Sequence, residues 1–245
     1  MLHKDIVIHQ QYGLGDHIIC NALVRYICAT HPQTHFYLAA TPTNVPSVSF
    51  MYRDLKNLTV ERIIEDNPMV LDSIPDHEKF GSNSRFISMP MLKIGREFFY
   101  TLKLQNPTLG FDEIFYKQYA YDFSNRWTNF YVDRDFGREE ALYNKLNINQ
   151  KYIFVHHSPE RGNIMNFDKI PSYGKLRMIV AAPGMTDNVF DYLKVIENAE
   201  EIHCIDSSFI HVVNSFDFRG NLFYHRYSKK DDAKFKLKHS WTEIL

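Results

Sequence analysis

The sequence predicts an α/β protein of two Rossmann-like lobes, doubly wound parallel sheets facing each other across a cleft. Three observations predict it. A strand-like run, Asp5-Ile6-Val7-Ile8-His9, is followed by the turn Gly13-Leu14-Gly15-Asp16. Ile18, Ile19, Ala22, Leu23, Tyr26 and Ile27 then recur at helical spacing to about Cys28, and a second strand-like run spans Phe36 to Ala40. That is a βαβ unit, whose parallel strands require a crossover. A second such alternation begins near Gln150, so the chain divides into residues 1–149 and 150–245.

Within the first part, Pro32 ends the first helix. Residues 41–110 are punctuated by Pro and Gly, with strands expected over Leu58–Ile64 and Phe86–Met89. Helices are expected over Phe111–Phe123 and Gly137–Leu146, the latter with Glu early and Lys late, as the helix dipole favours. In the second part, strands are expected over Tyr152–Val155, Leu176–Ala181, Glu201–Ile205 and, last, Asn221–Tyr224. Helices are expected over Asn188–Asn198 and Ser207–Phe216.

Composition narrows the function. Of the 245 residues, 44% are hydrophobic and 23% charged, which is a globular balance. The net charge of −1 offers no basic excess for nucleic acid. The C-terminal lysines Lys229, Lys230, Lys234, Lys236 and Lys238 are interrupted by Asp231 and Asp232 and read as solvated surface. Cys20, Cys28 and Cys204 contain no C-x-x-C pair and read as reduced thiols of a cytoplasmic protein. The N-terminus lacks the pattern of a signal peptide. No apolar run approaches the roughly 18 residues of a membrane span. The sequon at Asn57 reads as chance. The 19 Phe and 15 Tyr are rich in the middle third and read as core or as the lining of a groove.

Ligands of open α/β sheets bind beyond the C-terminal strand ends, and three such ends carry polar loops. At Gly13 to Asp16 the glycines admit close backbone approach, and the helix start behind them favours an anion. A dinucleotide or S-adenosylmethionine fingerprint fits poorly. Ile18 stands where a third glycine belongs, and Ala39-Ala40-Thr41 offers no ribose-binding acid. Asp16 reads equally as a helix cap or as a general base. At His156-His157-Ser158-Pro159-Glu160-Arg161-Gly162, Arg161 suits a phosphate and Ser158 adds a hydroxyl. A paired-histidine metal site is not expected, because adjacent side chains on an extended chain diverge and no further ligand stands at metal-binding spacing. At Asp206-Ser207-Ser208-Phe209-Ile210-His211 a helix start follows a strand end, which suits phosphate. An N-cap role explains the serines but leaves His211 unexplained.

Two of these loops resemble motifs of glycosyltransferase family 9, the heptosyltransferases, and related GT-B enzymes. Gly15-Asp16 is similar to the family's Gly-Asp pair at the first helix. Asp206 to His211 is similar to its Asp-Ser/Thr-Gly-x-x-His motif, with the same Asp-to-His spacing. His156 through Arg161 looks like its donor-phosphate loop and also faintly like the His-x-Arg loop of fucosyltransferases. The resemblance implies transfer of a sugar from a nucleotide-diphosphate sugar to a glycan or other acceptor hydroxyl, without a metal or further cofactor. It implies that Asp16, beside Gly13 and Gly15 on the acceptor-side domain, is the catalytic base. It also implies that His156, Ser158, Arg161, Asp206, Ser207, Ser208 and His211 hold the donor. Three features depart from the pattern. Ser208 replaces a glycine, Arg161 replaces a lysine at altered spacing, and the chain is shorter than most of the family. A nucleotide-sugar epimerase and a non-catalytic nucleotide-sugar binder are the alternative readings.

Overall fold

The computed structural model describes residues 5–11, 13–86, 88–226 and 235–245, apart from the side chains of residues 68, 69, 84, 96–99 and 161. Lys229, Lys230, Asp231, Asp232 and Lys234 thus lie outside the described residues. Two compact units emerge, one comprising Met1–Asp133 with Lys234–Lys236, the other Arg134–Ala233 with Leu237–Leu245.

The first unit runs β1 (Asp5–His9), α1 (Leu14–Ile19), α2 (Asn21–Thr30), β2 (His35–Ala40), α3 (Val45–Tyr52), β3 (Leu58–Arg62), α4 (Pro68–Ser73), β4 (Met91–Lys93), α5 (Arg96–Gln105), α6 (Phe111–Gln118) and α7 (Asn125–Thr128). The sheet order is β3-β2-β1-β4 and every pairing is parallel. Central β1 is buried beyond its first residue, as expected where both faces of a parallel sheet are covered. One face packs Val7 and Ala39 against Ile63, Leu71, Phe80 and Phe86.

Several elements differ from the sequence expectation. The first helix is two, divided at Cys20, whose ψ of 2° departs from helical values. The strand expected over Phe86–Met89 forms instead at Met91–Lys93. Pro90 has no N–H to give a ladder. Its carbonyl accepts from Val7 N–H at 2.9 Å, and pairing proper begins at Val7 with Met91. Phe86 turns into the core and stacks on Phe80 at 4.4 Å. Helix α6 stops at Gln118, short of Phe123, because Ala120 takes a left-handed φ of 49°. Helix α3 carries Pro46 in its first turn, where a missing N–H costs no helical bond, so a proline read as punctuation marks a helix start.

The second unit runs α8 (Phe136–Lys145), β5 (Tyr152–His156), β6 (Arg177–Val180), α9 (Leu193–Glu197), β7 (Glu201–Cys204), α10 (Ser208–Ser215), β8 (Asn221–His225) and β9 (Thr242–Ile244). Its sheet, again parallel, has the order β6-β5-β7-β8-β9. The helix expected over Asn188–Asn198 is a 3-10 turn, Val189–Tyr192, running into α9. Strand β9 was not anticipated, since three residues carry too little alternation to register as a strand. The unit starts before Gln150 because α8 is pinned to the 187–197 segment. Arg138 pairs with Asp187 at 2.7 Å and Asp191 at 2.8 Å, and Arg134 reaches Glu197 at 3.0 Å. Ile153, Val155, Met165, Ile170 and Ile205 form one of its apolar clusters. Among the described residues no helix is long and apolar enough to cross a membrane.

Candidate functional site

Strand order locates the crevice of each sheet. In the first unit β2 lies on one side of β1 and β4 on the other. The strand order thus reverses between β1 and β4, and the crevice lies at their C-terminal ends. Gly13, not Asp16, is the N-cap residue of α1. Asp16 is the third helical residue, half-buried, and an acid in this first turn is favoured by the helix dipole. Its carboxylate folds back over Gly13, where a Cβ would fall 2.7 Å from Asp16 Oδ2. The glycine is thus needed for space, and Gly15 forms the first turn with Asp16. The next residue, His17, is fully buried against the Gln10 side-chain amide. Burial, with His9 nearby, lowers its pKa to about 3, which keeps it neutral. Asp16 is accordingly the ionisable group of this pair with access to solvent. Across the crevice, Gly95 after β4 has a φ of 91°. A Cβ there would lie 2.5 Å from Phe115 and 3.5 Å from Gln11 Nε2. Gly95 and the two glutamines were not identified from sequence; a positive-φ glycine after a three-residue strand has no local pattern.

In the second unit β6 and β7 flank β5, so the loops after β5 and β7 border the crevice. These are the two loops singled out by their polar residues. They are joined directly, because the Ser207 hydroxyl lies 2.9 Å from His156 Nδ1. His156 also stacks on Phe209 of α10, with centroids 4.2 Å apart. Ser207 occupies the N-cap position of α10, yet its side chain makes no cap hydrogen bond. The expected serine cap is therefore absent, and the first-turn N–H groups receive no side-chain oxygen from Ser207. Asp206, Ser207 and Ser208 are half-buried at this helix start, whereas His211 is buried within α10.

The loop after β5 is a tight pinch. Ser158 and Asn163 exchange backbone hydrogen bonds of 2.9 and 3.0 Å, closing over the turn Pro159–Arg161 and Gly162 with φ of 74°. The Ser158 hydroxyl donates to the Glu160 carboxylate, so it is engaged rather than presented to a ligand. The Arg161 backbone belongs to this turn, while its side chain lies outside the described residues. The adjacent histidines diverge as expected for extended backbone. His156 meets Phe209, and His157 meets Phe167 at 5.3 Å. Desolvation lowers the His157 pKa. Among the described residues no three His, Cys, Asp or Glu side chains converge to hold a metal.

No family model matches the chain, and no curated protein matches its sequence. Solved structures do match its fold. A glycosyl transferase family 9 structure from Veillonella parvula DSM 2008 aligns with a TM-score of 0.59 at 12% identity, over 100% of this chain and 89% of that one. The E. coli ADP-heptose lps heptosyltransferase II aligns with a TM-score of 0.58 at 13% identity, over 99% and 90%. The iron-containing dodecameric glycosyltransferase TibC from enterotoxigenic E. coli H10407 aligns with a TM-score of 0.52 at 10% identity, over 100% and 63%. At these identities the likeness is one of fold. The chain has the GT-B-like fold of family 9 glycosyltransferases, with two parallel α/β sheets.

Proposed function

We propose that the protein is a glycosyltransferase that moves a sugar from a nucleotide-diphosphate sugar to an acceptor hydroxyl. One observation carries the reading. At the switch point of the second sheet, a helix start that Ser207 does not cap stands beside the loop after β5, tied to it through Ser207 and His156. First-turn N–H groups at the positive end of a helix dipole suit a diphosphate. Fold likeness to glycosyltransferases supports the same reading without identifying the sugar.

In this reaction the acceptor oxygen attacks the anomeric carbon, and the bond from that carbon to the diphosphate oxygen breaks. Asp16 takes the acceptor proton. The α10 N-terminus and Arg161 stabilise the diphosphate as it gains charge, and Ser158 joins them only once its hydroxyl leaves Glu160. The cradle further comprises Asp206 and Ser208 at the helix start and His156 behind Ser207, with His211 supporting from within the helix. Fixed positive groups and the helix dipole do the work that a metal does in other transferases. Buried, unpaired Cys20, Cys28 and Cys204 agree with a cytoplasmic setting.

The engagement of Ser158 by Glu160 favours one second reading, a non-catalytic binder whose donor loop is partly occluded. A thermal-shift screen against nucleotide sugars, followed by product analysis with and without acceptors, separates the two. A transferase is stabilised by one donor and releases its nucleoside diphosphate, whereas a binder is stabilised and releases none. If no nucleotide sugar shifts the melting temperature, both readings fail.

A further inference from the structure

A row of four polar side chains crosses one face of the second sheet. Register and strand alternation put Glu201 and His203 of β7 on the same face as Ile153 and Val155 of β5. Met165 and Ile170, from the segment 163–176, cover part of this face by packing with Ile153, Val155 and Ile205. Beside that apolar layer the Ser172 hydroxyl donates to Glu201 Oε1 at 2.5 Å. Glu201 Oε2 lies 3.1 Å from His203 Nε2, and His203 Nδ1 lies 2.9 Å from His225 Nε2. The His203 ring stacks on Phe223, its register partner on β8, with centroids 4.4 Å apart. Both histidines are fully buried.

The bonds of the row run one way. A carboxylate only accepts, so His203 Nε2 carries the proton shared with Glu201. The neutral ring then offers Nδ1 as an acceptor, and His225 Nε2 donates to it. One more proton puts a positive charge on a buried imidazole. Its surroundings oppose that charge. β5 presents Ile153 and Val155, and the β9 register partner of His225 is Ile244. The covering segment brings Lys169, whose charge disfavours protonation of His225, while its Asp168 and Lys175 are exposed. Arg226 and Glu243, next to His225 and Ile244 in sequence, pair with each other at 3.1 Å. His157, at the end of β5, meets Phe167 of the same segment. Glu201 is the acid of the row, and it already accepts from Ser172 and His203.

We infer that this row is an acid-operated latch on the segment 163–176, closed through Ser172 while the two rings are neutral and released when they take protons. The segment begins at Asn163, which closes the pinch with Ser158. Release therefore loosens the loop after β5, whichever ligand that loop holds. The direction follows from linkage. Rings exposed by opening bind protons with the ordinary pKa of about 6.5, whereas burial holds both below their usual value in the closed form. Closure is complete above that pH and is lost as pH falls below it.

Hydrogen exchange read by mass spectrometry on the full chain tests the latch. The amides of Ile170, Tyr173 and Leu176 donate within the segment and report its opening. After correction for the intrinsic pH dependence, their exchange should quicken between pH 7.5 and 5.5 by about tenfold for each ring freed, while β7 amides stay protected. In His225→Gln the amide donates to His203 Nδ1 without titrating, so one such factor of about ten should vanish. Ser172→Ala should open the segment about fivefold or more at pH 7.5, the scale of one hydrogen bond to a charged group, again with β7 protected. Segment exchange indifferent to pH, opening in step with β7, an undiminished pH response in His225→Gln, or parent-like protection in Ser172→Ala would each overturn the inference.

Discussion

Ser207 occupies the N-cap position of α10, but its hydroxyl meets His156 Nδ1, 2.9 Å away, instead of capping its helix. A serine at this position ordinarily satisfies an N–H of the first turn and contributes about 1 kcal/mol. Here that contribution is forgone, and the two loops bordering the second sheet's crevice are joined in return.

Ser207→Ala tests the consequence. The loss of one hydrogen bond should cost about 0.5–1.5 kcal/mol of stability, read by urea unfolding. Nucleoside diphosphate affinity should fall as well, because the loop after β5 loses its tie to the helix start. A variant that loses stability alone would assign Ser207 to packing.

On the proposed sugar transfer, Glu160 competes with the donor. Its carboxylate holds the Ser158 hydroxyl and sets a negative charge beside the proposed diphosphate position. Glu160→Ala should free Ser158 and tighten nucleoside diphosphate binding by about 1 kcal/mol, the scale of one hydrogen bond. Arg161→Ala should act oppositely, weakening the diphosphate by about 1.5–3 kcal/mol while sparing the bare nucleoside. Calorimetric titration with both ligands reads the two variants. Weaker binding in Glu160→Ala would show that the carboxylate supports the site.

The polar loops of the second unit were legible because a strand end followed by Asp-Ser-Ser or His-His-Ser is a local pattern. So was β1, whose apolar residues run without interruption. What was not legible depended on partners distant in sequence. The cap role expected of Ser207 was displaced by His156, 51 positions away in sequence. The engagement of Ser158 lay in a rotamer that residue types do not specify. The start of the second unit depends on Arg134 and Arg138 finding acids near residues 187–197, which no window around Gln150 contains. Gly95 was indistinguishable from an ordinary loop glycine until Phe115 packed against it.

The pair Asp112–Arg126 is fully buried in the first unit. Asp112 also accepts from Lys236 N–H at 2.8 Å. Desolvation raises the Asp112 pKa and lowers that of Arg126, while each charge opposes the effect on the other. Arg126→Leu strands a carboxylate in the core and should cost about 3–5 kcal/mol. The double variant Arg126→Leu/Asp112→Leu should recover part of that loss. Urea unfolding of the two single variants and the double variant checks both outcomes, and a near-neutral Arg126→Leu would refute the burial argument.

Acid should destabilise the fold through its buried histidines. Burial lowers His17 to about 3, and burial, with His203 and Lys169 nearby, lowers His225 to about 4. His203, 2.9 Å from His225, is also lowered by burial. The unfolded chain binds protons on these rings below about pH 6.5, whereas the folded chain does not. Their stabilising contribution is therefore complete above that pH. It declines as pH falls toward the folded values, by about 1.4 kcal/mol per unit for each such histidine. Urea midpoints between pH 7.5 and 4.5 should drop accordingly, and His225→Gln should flatten the slope. A midpoint constant across this range would contradict neutral burial.

Asp16→Asn separates catalysis from helix structure. Asp16 stands at the third position of α1, with Gly13 as the cap residue, so asparagine keeps the size but removes the charge favoured by the helix dipole. A purely structural Asp16 predicts a loss of about 0.3–1 kcal/mol in unfolding free energy and unchanged turnover. A general base predicts more. The acceptor proton then has no carboxylate to receive it, and transfer should fall by about 10²-fold or more. Donor binding, assigned to the second unit, should be unaffected in the thermal-shift assay. His17 cannot substitute, because it is buried and its own protonation is suppressed at neutral pH. Turnover equal to the parent's, alongside a measurable drop in stability, would confine Asp16 to the helix start and require another base for the reaction.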